Sequence, residues 1–351
     1  MDKKIVLILY TEFSSYLEAC FNCLSETKKI EIHLVRYPVN NEAPFLFESL
    51  NFKNYFKNEF NTQQALLNFT NHLNPDLILV SGWIDKDYLR VALKFKNKSV
   101  IVMAMDTQWT GSLKQKFMTF IAKNYFLKRF TYVWVPGSRQ KKYAQNIGFS
   151  DSQIIDGFYS CNFDLFRKYY NDTIHLKRNN FPKAFLFVGR YVKSKGVHNL
   201  WNAFIELNSE YENDWELWCV GTGDEWDNKI KHPKIKHLGF VQPNDLLDII
   251  QKSGIYILPS EFEPWGVSLH EFVSSGYPVI VSDKVGSSEI FVKEGKNGFI
   301  VKSGSVDSLK EGMKKVMKMR KKELLLMSQE SVSLSEKITP KIWVDKLISL
   351  L

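Results

Sequence analysis

The stretch Glu263-Pro264-Trp265-Gly266-Val267-Ser268-Leu269-His270-Glu271 follows closely on the apolar run Ile255–Leu258 and sets two carboxylates eight positions apart. Pro264 and Gly266 suit a tight turn, and Val267 to Ser275 suits a helix stopped by Gly276 and Pro278. Glu263 then precedes the helix, and Glu271 lies about one turn inside it. Backbone N–H groups at a helix start have no partner within the helix, and the dipole there favours an anion. Two spaced acids alone would fit a helix start that merely complements the dipole.

Working outward, short apolar runs alternate with helix-length amphipathic segments almost from end to end, the pattern of a parallel α/β architecture with helices on both sheet faces. Strands are predicted at Ile5–Tyr10, Ile30–Val35, Leu77–Val80, Val100–Met105 and Tyr132–Val135. A second set is predicted at Ala184–Val188, Glu216–Val220, Ile235–Leu238, Ile255–Leu258 and Val279–Val281. Two successive doubly wound, Rossmann-like units account for the length. The polar segment 167–183, with Asn171, Asp172, Asn179, Asn180 and Pro182, reads as a linker between units 1–166 and 184–338. In open α/β sheets ligands bind at the carboxyl ends of strands, so two such units facing each other would make a cleft. No short repeat or low-complexity tract supports a solenoid.

The 351 residues are 44% hydrophobic and 24% charged, the composition of a folded soluble protein. Cys20 and Cys23 lack a second cysteine or histidine pair and read as structural thiols in a reducing compartment. Met1-Asp2-Lys3-Lys4 before Ile5–Tyr10 imitates the start of a signal peptide, but Glu12 interrupts it, and a buried first strand explains it better. No apolar run has the length of a membrane span, so a cytoplasmic protein is expected, at most peripheral at the inner face of a membrane. Residues 1–180 carry 24 Lys and Arg against 16 Asp and Glu, the remainder 23 against 22. Such an asymmetry suits anionic lipid or a phosphorylated acceptor; no nucleic-acid partner is expected.

Other short motifs surround the acidic pair. Phe187-Val188-Gly189-Arg190 ends a strand and leads to Lys193, Lys195 and Gly196. Val220-Gly221-Thr222-Gly223-Asp224 ends another, but Trp226 stands where a dinucleotide fingerprint needs its third glycine. His237-Leu238-Gly239-Phe240-Val241 is either a simple strand end or a turn with a ligand. Pro278-Val279-Ile280-Val281-Ser282-Asp283 is followed by Gly286, Glu289 and Asn297-Gly298-Phe299.

As a set over roughly residues 184–320, these motifs resemble the retaining family-4-type glycosyltransferases of the GT-B fold (glycosyl transferases group 1), whose signature is close to E-P/G-F-G-L-x-x-x-E. The resemblance implies a nucleoside diphosphate sugar as donor, a UDP-sugar being favoured, with no cofactor and no metal. It implies that Glu263 and the backbone of Trp265, Gly266 and Val267, with Ser268 following, meet the donor sugar. Glu271 would hold the ribose, and Gly189, Arg190 and Lys195 the diphosphate. Phe240 and Val241 would lie at the base, and Glu263, Arg190 and Lys195 would carry the catalysis. The acceptor would be a glycan or a lipid-linked molecule. The segment 339–351 would cross back to the first domain, as in the family.

The first half departs from the pattern. Thr11-Glu12-Phe13-Ser14-Ser15 stands where relatives often carry a glycine pair, and Asp106 alone survives of a histidine and aspartate after the Val100–Met105 strand. Asp106 either meets acceptor or sugar or bonds its own turn; Thr107, Gln108 and Trp109 are expected to wall a sugar, with Thr11 and Glu12 as weaker contacts. Asp85-Lys86-Asp87, which has the form of a metal-binding motif of another glycosyltransferase fold, reads better as a helix start. The segment 113–132 interleaves Lys114, Lys116, Lys123, Lys128 and Arg129 with Phe117, Phe120, Phe126 and Phe130. It reads as a core helix with lysines outward or as a surface for anionic lipid. A sugar-nucleotide sensor without turnover and an epimerase are the rival functions.

Overall fold

Strand β1, Lys4–Tyr10, shows why this chain layers as it does. Val6, Ile8 and Tyr10 join one buried cluster, whereas Leu7 and Leu9 join another. A strand whose residues alternate between two cores has both faces covered, which is the environment of a parallel sheet. The structure is a computed structural model and describes residues 3–39, 44–47, 50–210 and 212–351; Met1 and Asp2 lie outside them.

The chain divides into two units, Met1–Ser160 with Ile338–Leu351, and Cys161–Lys337. The first holds β1 with β2 (Ile30–Arg36), β3 (Lys53–Phe56), β4 (Leu77–Ser81), β5 (Val100–Ala104), β6 (Tyr132–Trp134) and β7 (Ile154–Ile155). Their order is β3-β2-β1-β4-β5-β6-β7, and every pairing is parallel. The second holds β8 (Ala184–Val188), β9 (Glu216–Val220), β10 (Ile235–His237), β11 (Ile255–Leu258), β12 (Val279–Ser282) and β13 (Gly298–Val301). It runs β10-β9-β8-β11-β12-β13, again all parallel. In each sheet the order reverses direction once, at β1/β4 and at β8/β11. Such reversals open a crevice at the strand ends, where α/β folds bind ligands.

The segment 167–183 is not an irregular linker. Phe163–Asn179 is a helix of the second unit, with Phe166, Tyr169, Thr173 and Lys177 buried at a spacing of three and four. Asn171 and Asp172 lie on its outer side, so polarity that suggested a hinge belongs to the wet face of an amphipathic helix. The change of unit falls at Ser160 and Cys161 instead.

The last helix, Pro340–Ile348, packs into the first unit. Thr339 caps it by accepting from the Ile342 N–H (3.2 Å), and Pro340 supplies the fixed φ of a first helical residue. Trp343 is fully buried and stacks on Trp134 at 4.8 Å, with Phe21 at 5.7 Å. Lys346 Nζ donates to Asp156 Oδ1 (2.6 Å) at the rim.

Candidate donor site and a second cavity

The loops after β8 and β11, which flank the reversal in the second sheet, are locked together by their backbones. The N–H groups of Glu261 (2.8 Å) and Phe262 (3.2 Å) both donate to the Ser194 carbonyl. Gly196 has φ +68°, and a Cβ there would stand 2.4 Å from the Pro259 carbonyl oxygen, so only glycine lets the two loops close. The loop after β9 joins them: Gly221 has φ +129°, and a Cβ on it would lie 2.0 Å from the Gly189 oxygen. The Gly221 N–H in turn donates to the Gly239 carbonyl (2.7 Å), which brings the turn before Phe240 and Val241 beside the same loops.

On this frame the Lys195 ammonium makes an ion pair with Glu263 Oε2, and Ser260 Oγ donates to the same oxygen (3.3 Å). Glu263 is nearly buried, at 8% exposure, so its charge is held by partners and not by water. Its backbone oxygen accepts from the Gly286 N–H (3.0 Å), tying in the loop that carries Glu289, which is exposed. Arg190 lies exposed on the loop that carries Lys195, while Phe240 and Val241 are half-buried.

Gly266 is the N-cap of the helix Val267–Ser274, one residue shorter than expected, and Trp265 is buried beside it against Phe291 (6.4 Å). Glu271 lies in that helix, and burial pushes its carboxyl up to about 7. Tyr256 at the middle of β11 reports on both acids. Burial raises its phenol, the nearby charges of Glu271 and Glu263 raise it further, and its hydroxyl donates to Ser268 Oγ (2.8 Å). Gly189, Arg190 and Lys195 thus lie on the loop after β8, and Glu263, Gly266, Ser268 and Glu271 on the loop and helix after β11, the neighbouring strand. Sequence reasoning missed Tyr256, whose only signal was its place in the strand before the acidic stretch.

His270, between the two, faces away. Its Nε2 bonds the Ser335 carbonyl (3.0 Å), its ring stacks on Phe291 (4.2 Å), and burial lowers its pKa to about 4. It ties the helix to Lys321–Ser335 as a neutral imidazole.

At the reversal in the first sheet lies a cavity of about 260 Å³ lined by Thr11, Glu12, Ser81, Asp106, Thr107 and by Tyr10, Tyr16, Trp83, Ile84 and Tyr159. The Tyr159 hydroxyl donates to Asp106 Oδ2 (3.2 Å), and Thr11 N–H donates to Ser81 Oγ (2.9 Å). Burial drives the phenols of Tyr10 and Tyr159 well above their ordinary range. Gln108 and Trp109 are not among the cavity's lining. Gln108 is buried and its carbonyl accepts from Gln115 Nε2 (2.9 Å), while Trp109 packs on Tyr143 (5.8 Å). Of the expected sugar wall only Thr107 lines this cavity, and Trp109 is half-buried against the core cluster. The three tyrosines come from separate segments, and nothing in the sequence paired them.

Asp85 is an N-cap: its Oδ1 accepts from the N–H of Asp87 (2.7 Å) and Tyr88 (2.9 Å), and Asp87 pairs with Lys57 (2.8 Å). Among the described residues no three His, Cys, Asp or Glu side chains gather as metal ligands, and no helix is long and apolar enough to cross a membrane.

Comparison with known proteins agrees with this architecture. Residues 172–329 match the family described as glycosyl transferases group 1. An uncharacterized glycosyltransferase of Methanocaldococcus jannaschii is 28% identical over 176 residues, 47% of this chain and 44% of the relative. The chain's matches span less than half the length of the first curated relatives. Among solved structures, a glycosyltransferase from Rickettsia africae superposes with a TM-score of 0.74 at 14% identity, covering 100% of this chain and 98% of that one. Anabaena HepE in complex with UDP and glucose gives a TM-score of 0.71 at 13% identity, covering 97% and 98%. These likenesses establish the fold, the two-domain GT-B arrangement of parallel sheets.

Proposed function

We propose that this chain, whose residues 172–329 match the family glycosyl transferases group 1, is a retaining glycosyltransferase. It would move a sugar from a nucleoside diphosphate sugar, with a UDP-sugar favoured, to a hydroxyl of a glycan or lipid-linked acceptor. The observation that carries the reading is the Lys195–Glu263 ion pair on loops locked together after β8 and β11, with Glu271 in the helix that follows. A sugar and a ribose at the two ends of one diphosphate need two such acceptors, with cations between them.

In this reading Arg190 and Lys195 bind the diphosphate and stabilise the charge that grows on it as the bond to the anomeric carbon breaks. Glu263 exchanges part of its ion pair for a sugar hydroxyl and orients the ring with the backbone of Trp265, Gly266 and Val267. Glu271 accepts from the ribose, and Phe240 and Val241 flank the base. The acceptor oxygen bonds the anomeric carbon on the face the phosphate leaves, and its proton passes to the departing phosphate oxygen. Asp106 and Tyr159 would hold acceptor hydroxyls in the first unit. A cytoplasmic role at the inner face of a membrane, in bacterial surface polysaccharide or glycan assembly, fits a lipid-linked acceptor.

A thermal-shift screen of UDP-, GDP- and ADP-sugars tests the donor: a ligand at a hundred times its Kd stabilises the protein by about 2.7 kcal/mol. Glu263→Gln is expected to cut turnover by about a hundred-fold or more while the protein still folds. Wild-type turnover in that variant, or no stabilisation by any of the sugars, overturns the reading.

A further inference from the structure

The helix Leu113–Leu127 is built inside out. Its inward stripe is Gln115, Thr119, Ala122 and Phe126, three or four apart, with Phe126 on Trp83 (5.3 Å) and Phe130 (6.3 Å). Leu113, Phe117, Phe120 and Ile121 are exposed by 84%, 66%, 87% and 56%. With 3.6 residues per turn, these four form one ridge on the side away from Thr119 and Phe126. On the same wheel Lys116 and Lys123 flank that ridge on one side and Lys114 on the other, with Lys128 in line with it just past the last turn. From Leu113 to Phe130 there are five cations and no Asp or Glu.

The reading of a core helix with lysines outward holds for Phe126, Phe130 and the lysines, but Phe117 and Phe120 point outward as well. A ridge of four large apolar side chains facing water marks a surface that something covers. Its charges say what. A second copy of the chain would bring its own five cations against these, which repel, whereas a layer of lipid phosphates complements them. We propose that this face docks on an anionic phospholipid surface. Leu113, Phe117, Phe120 and Ile121 enter the boundary between headgroups and acyl chains, and the flanking lysines reach lipid phosphates. Ile84, exposed by 80%, lines the cavity that holds Asp106, and its neighbour Trp83 contacts Phe126 of this helix. Docking here would bring the cavity beside the bilayer. The docking does not depend on sugar transfer.

The test is sedimentation of the full chain with vesicles of phosphatidylcholine alone and with one third phosphatidylglycerol, at low and high ionic strength. Binding is expected only to the anionic vesicles and weakens with salt. The double variant F117S/F120S should bind about a hundred-fold more weakly, and each of Lys114, Lys116 and Lys123 changed to Gln should cost about five-fold. Melting temperature and donor stabilisation should stay as in the wild type, which separates failure here from failure of the donor site. The proposal is overturned if the chain ignores anionic vesicles, or if F117S/F120S binds them like the wild type. Concentration-dependent self-association that F117S/F120S abolishes would also overturn it, by giving the ridge to a second copy.

Discussion

Replacing Glu271 by Gln asks whether that carboxyl is neutral in the folded protein, and the answer is legible in how stability depends on pH. Burial raises the group to about 7 from an ordinary value of 4.5. In the unfolded chain it loses its proton near 4.5, and in the folded chain it keeps it until about 7. The stability gained from holding the proton is thus fully present below pH 4.5 and lost as pH rises through 7. A shift of that size, at 1.36 kcal/mol per pH unit, corresponds to at most ~3 kcal/mol. Gln has the same shape and cannot ionise, so it escapes the loss. Between pH 4.5 and 8 the unfolding free energy of Glu271→Gln should therefore rise relative to wild type by up to ~3 kcal/mol. His270 next door, held down to about 4, adds stability as pH rises from 4 to 6.5 and partly masks the effect in the wild type alone. It is common to both proteins and cancels in the difference. Urea unfolding followed by tryptophan fluorescence at pH 5, 6, 7 and 8, at constant ionic strength, gives that difference. Parallel pH profiles would show that Glu271 is ionised throughout, and the account of its enclosure would fail.

Gly221→Ala places a Cβ 2.0 Å from the Gly189 oxygen at a φ of +129°. It should cost about 3–5 kcal/mol and abolish stabilisation by donor nucleotides, as read by thermal shift; a loss below about 1 kcal/mol would mean that the two loops are not locked. Trp343→Ala empties the space between Trp134 and Phe21 and should lower stability by about 3–5 kcal/mol in chemical denaturation. A near-neutral effect would detach the last helix from the first unit's core.

All ten strands read from the sequence are present, because strands buried on both faces leave apolar runs that nothing else imitates. The three that escaped are marginal by the same measure. β3 and β7 sit at opposite ends of the first sheet, with no residue scored as buried, and β13 begins with Gly298 at an edge of the second. The helix Phe163–Asn179 was misread since its buried residues are a sparse stripe in a polar background. Lys177 is the extreme case, buried with its ammonium 3.8 Å from the Tyr277 ring and held down to about 7 by burial. The positions of Lys195 and Glu263 on loops just past strand ends were legible, as strand–turn–helix grammar is local. The grouping of Tyr10, Tyr16 and Tyr159 was not, since only tertiary folding brings Tyr159 to the stretch 10–16 and to Asp106. Trp109 lies half-buried against Tyr143 and outside the cavity's lining, a placement that its position beside a carboxylate did not signal.

Because the first unit takes back Ile338–Leu351, the second is topologically an insert within it. A premature stop codon shortly before Thr339 would leave Cys161–Lys337 intact in sequence, yet strip Trp343 from the portion translated earliest. Residues 338–351 must be made before that portion acquires its full core, so the unit begun first is closed after the other has been made.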